Sequence, residues 1–532
     1  MFEKVLLLVV FFIVTIGIGI WFRNKSGDVD KFVLGGRNVG PWLSAFAYGT
    51  TYFSAVVFVG YAGQFGWRFG ISATWIGLGN ALIGSLLAWV ILGRRTYVMT
   101  RHLGSATMPE FFGKRYDSGS LKIGASVVIF IFLIPYTASL YNGLSKLFTM
   151  AFSTETFTID FRLCILAMAV LTGVYVIAGG YMATAVNSFF QGVIMLVGIV
   201  AIIAAVLNSN GGFMAALDGM ARVSDSAVSE TPGVFASFFG PDPINLLGVL
   251  ILTSLGTWGL PQMIQKFYSI KSEKAISRGT IISTLFAIVI AGGSYFLGGF
   301  GRLFTSQVAR AENGQVLYDS IIPAMLSGFA PILIGLAVVL VLSASMSTLS
   351  SLVMASASTF TLDFLKGSIV KKMDEKKQLL IIRSLIVVFI VISASIAIFQ
   401  YNSSVTFIAQ LMGISWGALA GAFLAPFLYG LYWKRVSAAS IWCNFIFSAA
   451  VMIANMIANL TAKTPADNFF PKLLQSPINA GAFTMLAGFV IVPLVTVLTK
   501  KPDVEKVESC FSCYEQTVTV KVQQDLGMGA DV

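Results

Sequence analysis

Hydroxyl side chains are the feature of this sequence best suited to binding an ion. The stretch SASMSTLSSLVMASAST, Ser343 to Thr359, holds nine of them in seventeen positions and follows the wholly apolar run APILIGLAVVLVL. On a helix, Ala344, Ser347 and Thr348 share one face, because they are spaced i, i+3 and i+4. Sodium is a hard cation that accepts neutral hydroxyl and carbonyl oxygens as ligands. This face therefore predicts part of a sodium shell.

The same hydroxyls also have a structural interpretation. Serine and threonine in membrane helices donate back to the carbonyl at i−4, or let two helices pack closely. We adopt this interpretation for Ser343, Ser356 and Ser358. For Ser347 and Thr348 we predict a role in sodium binding.

The composition indicates an all-α polytopic membrane protein. Of 532 residues, 56% are hydrophobic and only 11% are charged, whereas soluble domains carry about 25% charged residues. About 20 apolar residues are needed to cross a bilayer as a helix, and we identify about thirteen such stretches. They begin near Phe2, Pro41, Ile71, Lys122, Phe161, Met182, Ile244, Gly279, Pro331, Leu379, Ser404, Ser437 and Ala480. Because they hold no catalytic constellation, we do not expect an enzyme.

The distribution of positive charge predicts the orientation in a cell membrane. If the first helix runs inward, the alternate loops and the tail on the inner side hold 26 of the 35 Lys and Arg residues, including those of the segment 266–278. The positive-inside rule then places the N-terminus outside and the C-terminus in the cytoplasm. We expect a membrane domain over residues 1–499, with a core at about 41–432, and a flexible cytoplasmic tail over 500–532. We interpret Cys510 and Cys513 in that tail as reduced thiols.

Two of the predicted spans are interrupted in the middle. Gly49, Thr50 and Thr51 interrupt the second span, and Gly259 and Pro261 interrupt the seventh. Interruptions at matching places in two five-helix halves are typical of inverted-repeat transporters, whose broken helices free backbone groups to bind solute and ion. The alternative is a pair of glycine kinks that serve close helix packing. We favour a binding site, to which the GTTYFS segment would contribute carbonyl oxygens.

The acidic residues bear on which ion drives transport. Proton coupling needs a group that titrates inside the membrane, normally Asp, Glu, His or Lys. Every Asp and Glu lies in a loop, in the tail or at the end of a span, as Asp160, Asp242, Asp319 and Asp363 do. A carboxylate at mid-membrane costs at least about 3 kcal/mol and is kept only for function. Sodium is therefore the predicted coupling ion, with a proton-coupled carrier as the alternative mechanism.

Several motifs in order resemble the sodium:solute symporter family. They are DKFVLGGRNVGPW, SATMPEFFGKRYD, VIAGGYMATA, GLPQMIQKFYSIKS, ASMSTLSS and WGALAGAFLAPFLYGLYWKR, which lie between about Phe32 and Lys434. The resemblance implies a LeuT-like core of two five-helix inverted repeats, with one helix before it and two after. It also implies secondary active sodium symport by alternating access.

The resemblance implies a sodium site between the first and eighth core helices. Carried onto this chain, the site uses backbone oxygens of Thr50, Phe53 and Ala344 and the hydroxyls of Ser347 and Thr348. This is the face that helical spacing indicates independently.

The chain also departs from its relatives. Ser188 stands where some of them place an aspartate for a second sodium, so we expect one sodium per cycle even though Ser350 and Ser351 could add oxygens. Proline carriers have an aspartate where this chain has Tyr52, and an aromatic pair that matches Thr253 and Thr257 here.

The predicted solute pocket is neutral and partly aromatic. Its candidate residues are Tyr52, Tyr136, Thr257, Trp258, Gln262 and Gln410. Freed amides at a half-helix N-terminus would hold an anionic group, and the aromatic rings would cover an apolar portion. We predict a small amino acid or monocarboxylate as solute. The alternatives are packing roles for Tyr52 and Trp258, and a solute sensor on the same scaffold. Beyond the solute and the lipid bilayer we expect no nucleic acid and no obligate protein partner.

Overall fold

The structure is a computed structural model that describes residues 2–23, 27–153, 160–311, 314–370, 373–403, 408–462 and 467–515. Throughout these ranges the regular elements are helices, and β-pairing is limited to isolated bridges such as that between Val39 and Ile270. The all-α prediction is confirmed.

The α-helices of the described ranges are numbered in chain order. They are α1 (Phe2–Phe22), α2 (Val29–Leu34), α3 (Pro41–Tyr52), α4 (Ala62–Phe69), α5 (Thr74–Gly79), α6 (Arg94–His102), α7 (Met108–Arg115), α8 (Gly119–Phe152), α9 (Phe161–Ser209), α10 (Phe213–Arg222), α11 (Pro243–Leu255), α12 (Pro261–Ser269), α13 (Glu273–Ala287), α14 (Gly293–Gly299), α15 (Ile321–Leu326), α16 (Pro331–Thr359), α17 (Glu375–Ser403), α18 (Ile408–Tyr432), α19 (Ala438–Thr461), α20 (Pro477–Leu498) and α21 (Val504–Phe511). Short π-helical and 3-10 turns join several of them into longer rods.

Eleven helical segments of the described residues are long and apolar enough to cross a membrane. Two of them, Val56–His102 and Phe161–Ser209, have 47 and 49 residues. At about 1.5 Å per residue each would extend roughly 70 Å, twice the thickness of a hydrocarbon core. Each bends at a glycine with positive φ, Gly70 (65°) and Gly180 (60°). Gly180 divides Phe161–Ser209 into two crossings, whereas Gly70 separates one crossing from residues 56–69, which continue the span that begins with α3. Divided in this way the helices agree with about thirteen spans, although the predicted start near Ser404 lies outside the described residues.

Both predicted interruptions are present. Helix α3 ends at Tyr52, and Phe53 is extended (φ −99°, ψ 118°) before helical geometry resumes at Ala55. Helix α11 passes through a 3-10 turn to Leu260, which is also extended (φ −81°, ψ 122°). Pro261 explains the second break, because proline disfavours helical geometry in the residue before it.

The loops predicted to be cytoplasmic meet at one end of the molecule, called here the inner end. Arg37 donates to the carbonyl of Ser105 at 2.8 Å, which joins the first and second inner loops. Arg94 pairs with Glu273 at 2.8 Å, which joins the second and third. These contacts agree with the predicted alternation of loops, and the orientation of the inner end toward the cytoplasm stays a prediction.

Asp363 ties the fourth inner loop to the others. Its carboxylate accepts a hydrogen bond from Thr107 at 2.5 Å and lies 3.4 Å from the ammonium of Lys122. Although Asp363 is fully buried, it stands near the inner end of its span, as the sequence predicted.

The opposite end is held by a second set of ion pairs. Arg68 contacts Asp242 at 2.7 Å, and Lys146 contacts Asp319 at 2.5 Å. Both aspartates therefore lie at span boundaries, where the sequence places them.

The first part of the predicted tail packs against the inner loops. Glu508 on α21 pairs with Lys434 at 2.6 Å, and the carbonyl of Ser509 lies 2.8 Å from His102 Nε2. Cys510 and Cys513 are free and buried, and burial raises the pKa of both thiols, that of Cys513 to about 11, so they stay protonated at neutral pH. Residues 516–532 lie outside the described residues, and the flexibility of the tail stays a prediction.

Helices α4 and α14 touch through their backbones at a pair of glycines. A Cβ added at Gly66 would lie 1.9 Å from the carbonyl oxygen of Gly298, and one added at Gly298 would lie 2.0 Å from the oxygen of Ala62. Such contact requires small residues at the helix interface.

We therefore expect Gly66→Ala to destabilise the protein by about 1–3 kcal/mol, the usual cost of overpacking. Thermal melting of detergent-solubilised protein, followed by size-exclusion chromatography, would measure the effect. Gly17→Ala on α1 is the matched control, since a Cβ there meets nothing within 4 Å. Equal melting temperatures for Gly66→Ala, Gly17→Ala and the wild type would contradict the contact between α4 and α14.

Candidate functional site

Helix α16 crosses the break in α3 and satisfies part of its backbone. The amide of Ala55, freed by the break, donates to Ser345 Oγ at 3.3 Å. Ser345 in turn donates to the carbonyl of Val341 at 2.7 Å within its own helix. A buried amide without a partner is costly in a membrane. One of the hydroxyls of α16 thus stabilises the extended segment of α3.

The predicted sodium residues of α3 and α16 come together at this crossing. Thr348 Oγ1 lies 2.9 Å from the oxygen of Ala344, 3.3 Å from that of Thr50 and 3.2 Å from that of Thr51. Ser347 Oγ lies 2.7 Å from Thr50 Oγ1. All of these side chains are buried.

The fifth predicted residue, Phe53, adjoins the same place. Phe53 and Ala344 both line a narrow cavity bounded by α9 and α14. The amides of Val57 and Phe58 donate to the carbonyl of Ser54 and not to that of Phe53. The break thus leaves the Phe53 carbonyl outside the hydrogen-bond ladder of the following turn.

The oxygens of this cluster outnumber the protons available to join them. A hydroxyl has one proton, yet Thr348 Oγ1 lies within 3.3 Å of three carbonyl oxygens. If the proton goes to Ala344, the approaches to Thr50 and Thr51 bring lone pairs toward each other. A cation relieves such contacts, and neutral oxygens are suitable ligands for sodium. The residues at this crossing therefore fit a sodium ion.

Ser188 stands at the edge of the cluster. Its hydroxyl, on the second half of α9, lies 2.8 Å from Ser347 Oγ. The hydroxyls of Ser350 and Ser351 donate to the carbonyl of Ser347 at 2.9 and 3.1 Å. Ser188, which the sequence analysis expects in place of an acidic ligand, is thus in direct contact with a candidate sodium ligand.

Two of the predicted pocket residues meet on a tryptophan that sequence reasoning missed. The ring of Tyr52 stacks on Trp416 of α18 at 5.9 Å and 23°, and the ring of Tyr136 meets it edge-on at 5.9 Å and 82°. The hydroxyl of Tyr136 and Nε1 of Trp416 are buried and close to each other, and Tyr136 also lies near Ser54, but neither atom makes a hydrogen bond of normal geometry in the described part of the chain. Trp416 begins the motif WGALAGAF, and this motif is the sequence signal that could have identified it.

A buried amide lies next to this aromatic group. Tyr52 donates to the carbonyl of Thr253 at 2.5 Å, and the hydroxyl of Thr253 donates to Asn80 Oδ1 at 2.9 Å. Nδ2 of Asn80 makes no hydrogen bond of normal geometry among the described residues, although the Asn80 side chain lies near the hydroxyl of Tyr295. Together with Tyr136 and Trp416, Asn80 gives this region three buried donors that a bound molecule could use.

The other predicted pocket residues divide into two groups. The side chains of Thr257 and Trp258 are already hydrogen-bonded to the backbone. Thr257 Oγ1 lies 2.9 Å from the carbonyl oxygen of Ser254, and Trp258 Nε1 donates to the carbonyl of Ile83 at 3.0 Å. Gln262 is buried and its Oε1 has no partner in the described residues.

Gln410 lies in the first turn of α18. It precedes Trp416 by six residues, or about 9 Å along the helix axis. The structure therefore brings Tyr52 and Tyr136 together and places Gln410 farther along the same helix as Trp416.

Lys266 lies where the sequence analysis did not expect it. From the sequence alone it is placed in an inner loop, but it belongs to α12, within the candidate span Pro243–Ser269, and only 2% of its surface is exposed. Its Nζ donates to Ser351 Oγ at 2.9 Å. The prediction is wrong here because hydropathy ends a span at the first charge, whereas α12 continues past Lys266.

Known proteins similar to this chain agree with the fold and the ion. Residues 32–463 match the model of the sodium:solute symporter family. A sodium/proline symporter of Staphylococcus aureus is 28% identical over 514 residues, which cover 94% of this chain and 93% of the relative. A solved Na+-coupled sialic acid symporter gives a TM-score of 0.71 at 18% identity and covers 94% of this chain and 99% of its own. A manganese transporter of Eremococcus coleocola gives 0.50 at 12% identity and covers 88% and 95%.

The similarity to the sialic acid symporter confirms the LeuT-like helical fold. The family model and the relatives establish a multi-pass membrane transporter with sodium as its coupling ion. This chain belongs to the sodium:solute symporter family.

Proposed function

We propose that this chain carries one sodium ion and one small amino acid or monocarboxylate per cycle into the cell across the plasma membrane. Sodium binds to the oxygens of Thr50, Phe53, Ala344, Ser347 and Thr348. The solute binds beside Tyr52, Tyr136 and Trp416. The observation that carries the proposal is the excess of oxygen over protons around Thr348, where α16 meets the break in α3.

The break in α3 couples the two sites. Thr50 and Phe53 face the ion, and Tyr52 between them stacks on Trp416 in the solute region. When bound, sodium supplies the positive charge that neutral oxygens lack. By tying the carbonyls of α3 to α16, these residues then fix the position of the Tyr52 ring. Sodium therefore raises the affinity for the solute, and the solute raises the affinity for sodium by the same factor.

The chemistry of the pocket supports a carboxylate-bearing solute. The unpartnered buried groups of Tyr136, Trp416 and Asn80 are all able to donate hydrogen bonds. Buried donors among neutral residues suit carboxylate oxygens, and the stacked rings suit a compact apolar portion. The Staphylococcus aureus relative is named for proline, which has both features.

The sodium site leads to a prediction for α16. We expect Ser347→Ala and Thr348→Ala each to raise the sodium concentration for half-maximal uptake about 5- to 100-fold. This corresponds to roughly 1–3 kcal/mol for the loss of one oxygen partner. Uptake by reconstituted vesicles at graded sodium concentrations would measure it.

Two variants serve as comparisons for that measurement. Ser343→Ala on the same helix removes a buried hydroxyl that has no partner in the described residues, and it should leave the sodium dependence unchanged. Ser188→Ala should have a smaller effect than either test variant. Wild-type sodium dependence in both Ser347→Ala and Thr348→Ala would show that the ion binds elsewhere.

The solute pocket leads to a second prediction. In a thermal-shift screen of amino acids, monocarboxylates, pantothenate, sialic acid and hexoses, we expect a carboxylate-bearing hit that stabilises the protein in sodium and not in choline. Trp416→Phe keeps the ring and removes the indole donor, so it should weaken the affinity for that hit about 5- to 50-fold.

The increase in melting temperature that sodium alone causes should persist in Trp416→Phe. Trp21→Phe is the matched control, because Trp21 is 74% exposed on α1. Unchanged affinity in Trp416→Phe would remove Trp416 from the pocket, and a hit indifferent to sodium would contradict the coupling through α3.

A further inference from the structure

Lys266 is a buried lysine without an acidic partner in the described part of the chain. Only 2% of its surface is exposed, and within the described part of the chain no carboxylate pairs with it. Its Nζ donates to Ser351 Oγ at 2.9 Å and lies 5.0 Å from the centre of the Tyr181 ring. Lysine is almost never fully buried unless it is paired. The position therefore requires a reason beyond packing.

The contacts of Ser351 connect Lys266 to the sodium oxygens. Ser351 Oγ lies 3.0 Å from Thr51 Oγ1 and donates to the carbonyl of Ser347 at 3.1 Å. Lys266 is thus one turn of α16 from Ser347, and Thr51 follows the sodium residue Thr50 directly. A turn of helix is about 5.4 Å, so the two positive charges would stand roughly 6–8 Å apart.

Lys266 also lies between the sodium site and the inner end. Helix α12 ends at Ser269, and the next residue, Ile270, pairs with Val39 and accepts from Arg101 at 2.9 Å. These contacts belong to the group of inner loops.

We propose that Lys266 is a tethered cation that holds the oxygen of Ser351, which in turn contacts Thr51, in place of a second sodium, and that it lowers the affinity of the neighbouring site. Two like charges at this separation in a low-dielectric region repel strongly. Ser188 leaves this charge uncompensated, because its neutral hydroxyl bonds Ser347 and brings no negative charge to the cluster. The inference rests on the proposed sodium site and deepens it, since it assigns the residue that sets affinity and stoichiometry.

The first test separates the charge from the hydrogen bond. Lys266→Gln keeps a donor for Ser351 and removes the charge, so we expect it to bind sodium about tenfold more tightly than the wild type. Lys266→Arg keeps the charge and should stay within about threefold. The readout is the midpoint of the sodium-dependent thermal shift of purified protein without solute, with choline to hold ionic strength constant and potassium as the non-coupling ion.

The outcomes distinguish this inference from the proposed function. Equal or weaker sodium binding by Lys266→Gln, in a background where the wild type responds to sodium, would overturn the tethered cation alone. No response of the wild type to sodium would instead contradict the sodium site itself.

A second variant tests the exclusion of another ion. Ser188→Asp supplies a carboxylate and Lys266→Ala empties the place of the ammonium, so sodium activation of uptake should become cooperative in the double variant, with a Hill coefficient above one where Ser188→Asp alone and the wild type give about one. A Hill coefficient of one in the folded double variant, or a coefficient above one in Ser188→Asp alone, would overturn the exclusion. If that variant does not give a monodisperse peak, the sodium midpoint of Lys266→Gln decides the proposal.

Discussion

The break in α3 depends on α16, and the rest of the site depends on that contact. In a bilayer no water is available to satisfy a freed amide or carbonyl, and each such group left alone costs several kcal/mol. Ser345 supplies an acceptor for Ala55, and Thr348 approaches the carbonyls of Thr50 and Thr51. The need to stabilise an interrupted helix therefore explains why so apolar a helix as α16 is rich in hydroxyls, and the hydroxyl of Thr348 is also part of the proposed ion site.

The second break positions α12 by a different means. Gly259 lies against α18, where a Cβ would come within 2.9 Å of Ala420 Cα, and Pro261 fixes the start of the next helix. Backbone contact with α18, the helix that holds Trp416, therefore determines where α12 begins. Helix α12 then carries Lys266 toward Ser351 on α16. The two broken helices, one from each five-helix repeat, thus contact the same hydroxyl-rich helix, α16.

Much of this arrangement could be predicted because its physical signals are local. Helical spacing alone places Ala344, Ser347 and Thr348 on one face, and glycine or proline marks each break. Trp416 was missed because an aromatic residue in an apolar helix has the same pattern whether it packs or binds. Lys266 was missed because its burial depends on contacts with α16, more than eighty residues away in the chain. Contacts between helices that are distant in the chain produce no periodic pattern in the sequence.

The choice of neutral oxygens has a consequence for transport. An ion that must leave again cannot be held too tightly, just as conduction requires sites weak enough to release. A site of carbonyls and hydroxyls offers only partial charges, and with Ser188 in place of an acid it gains no full negative charge. In the proposed coupling the solute supplies the remaining affinity, because it holds the Tyr52 ring, which stacks on Trp416 and lies two residues after Thr50. The loss of either ligand would then weaken the binding of the other by the same factor.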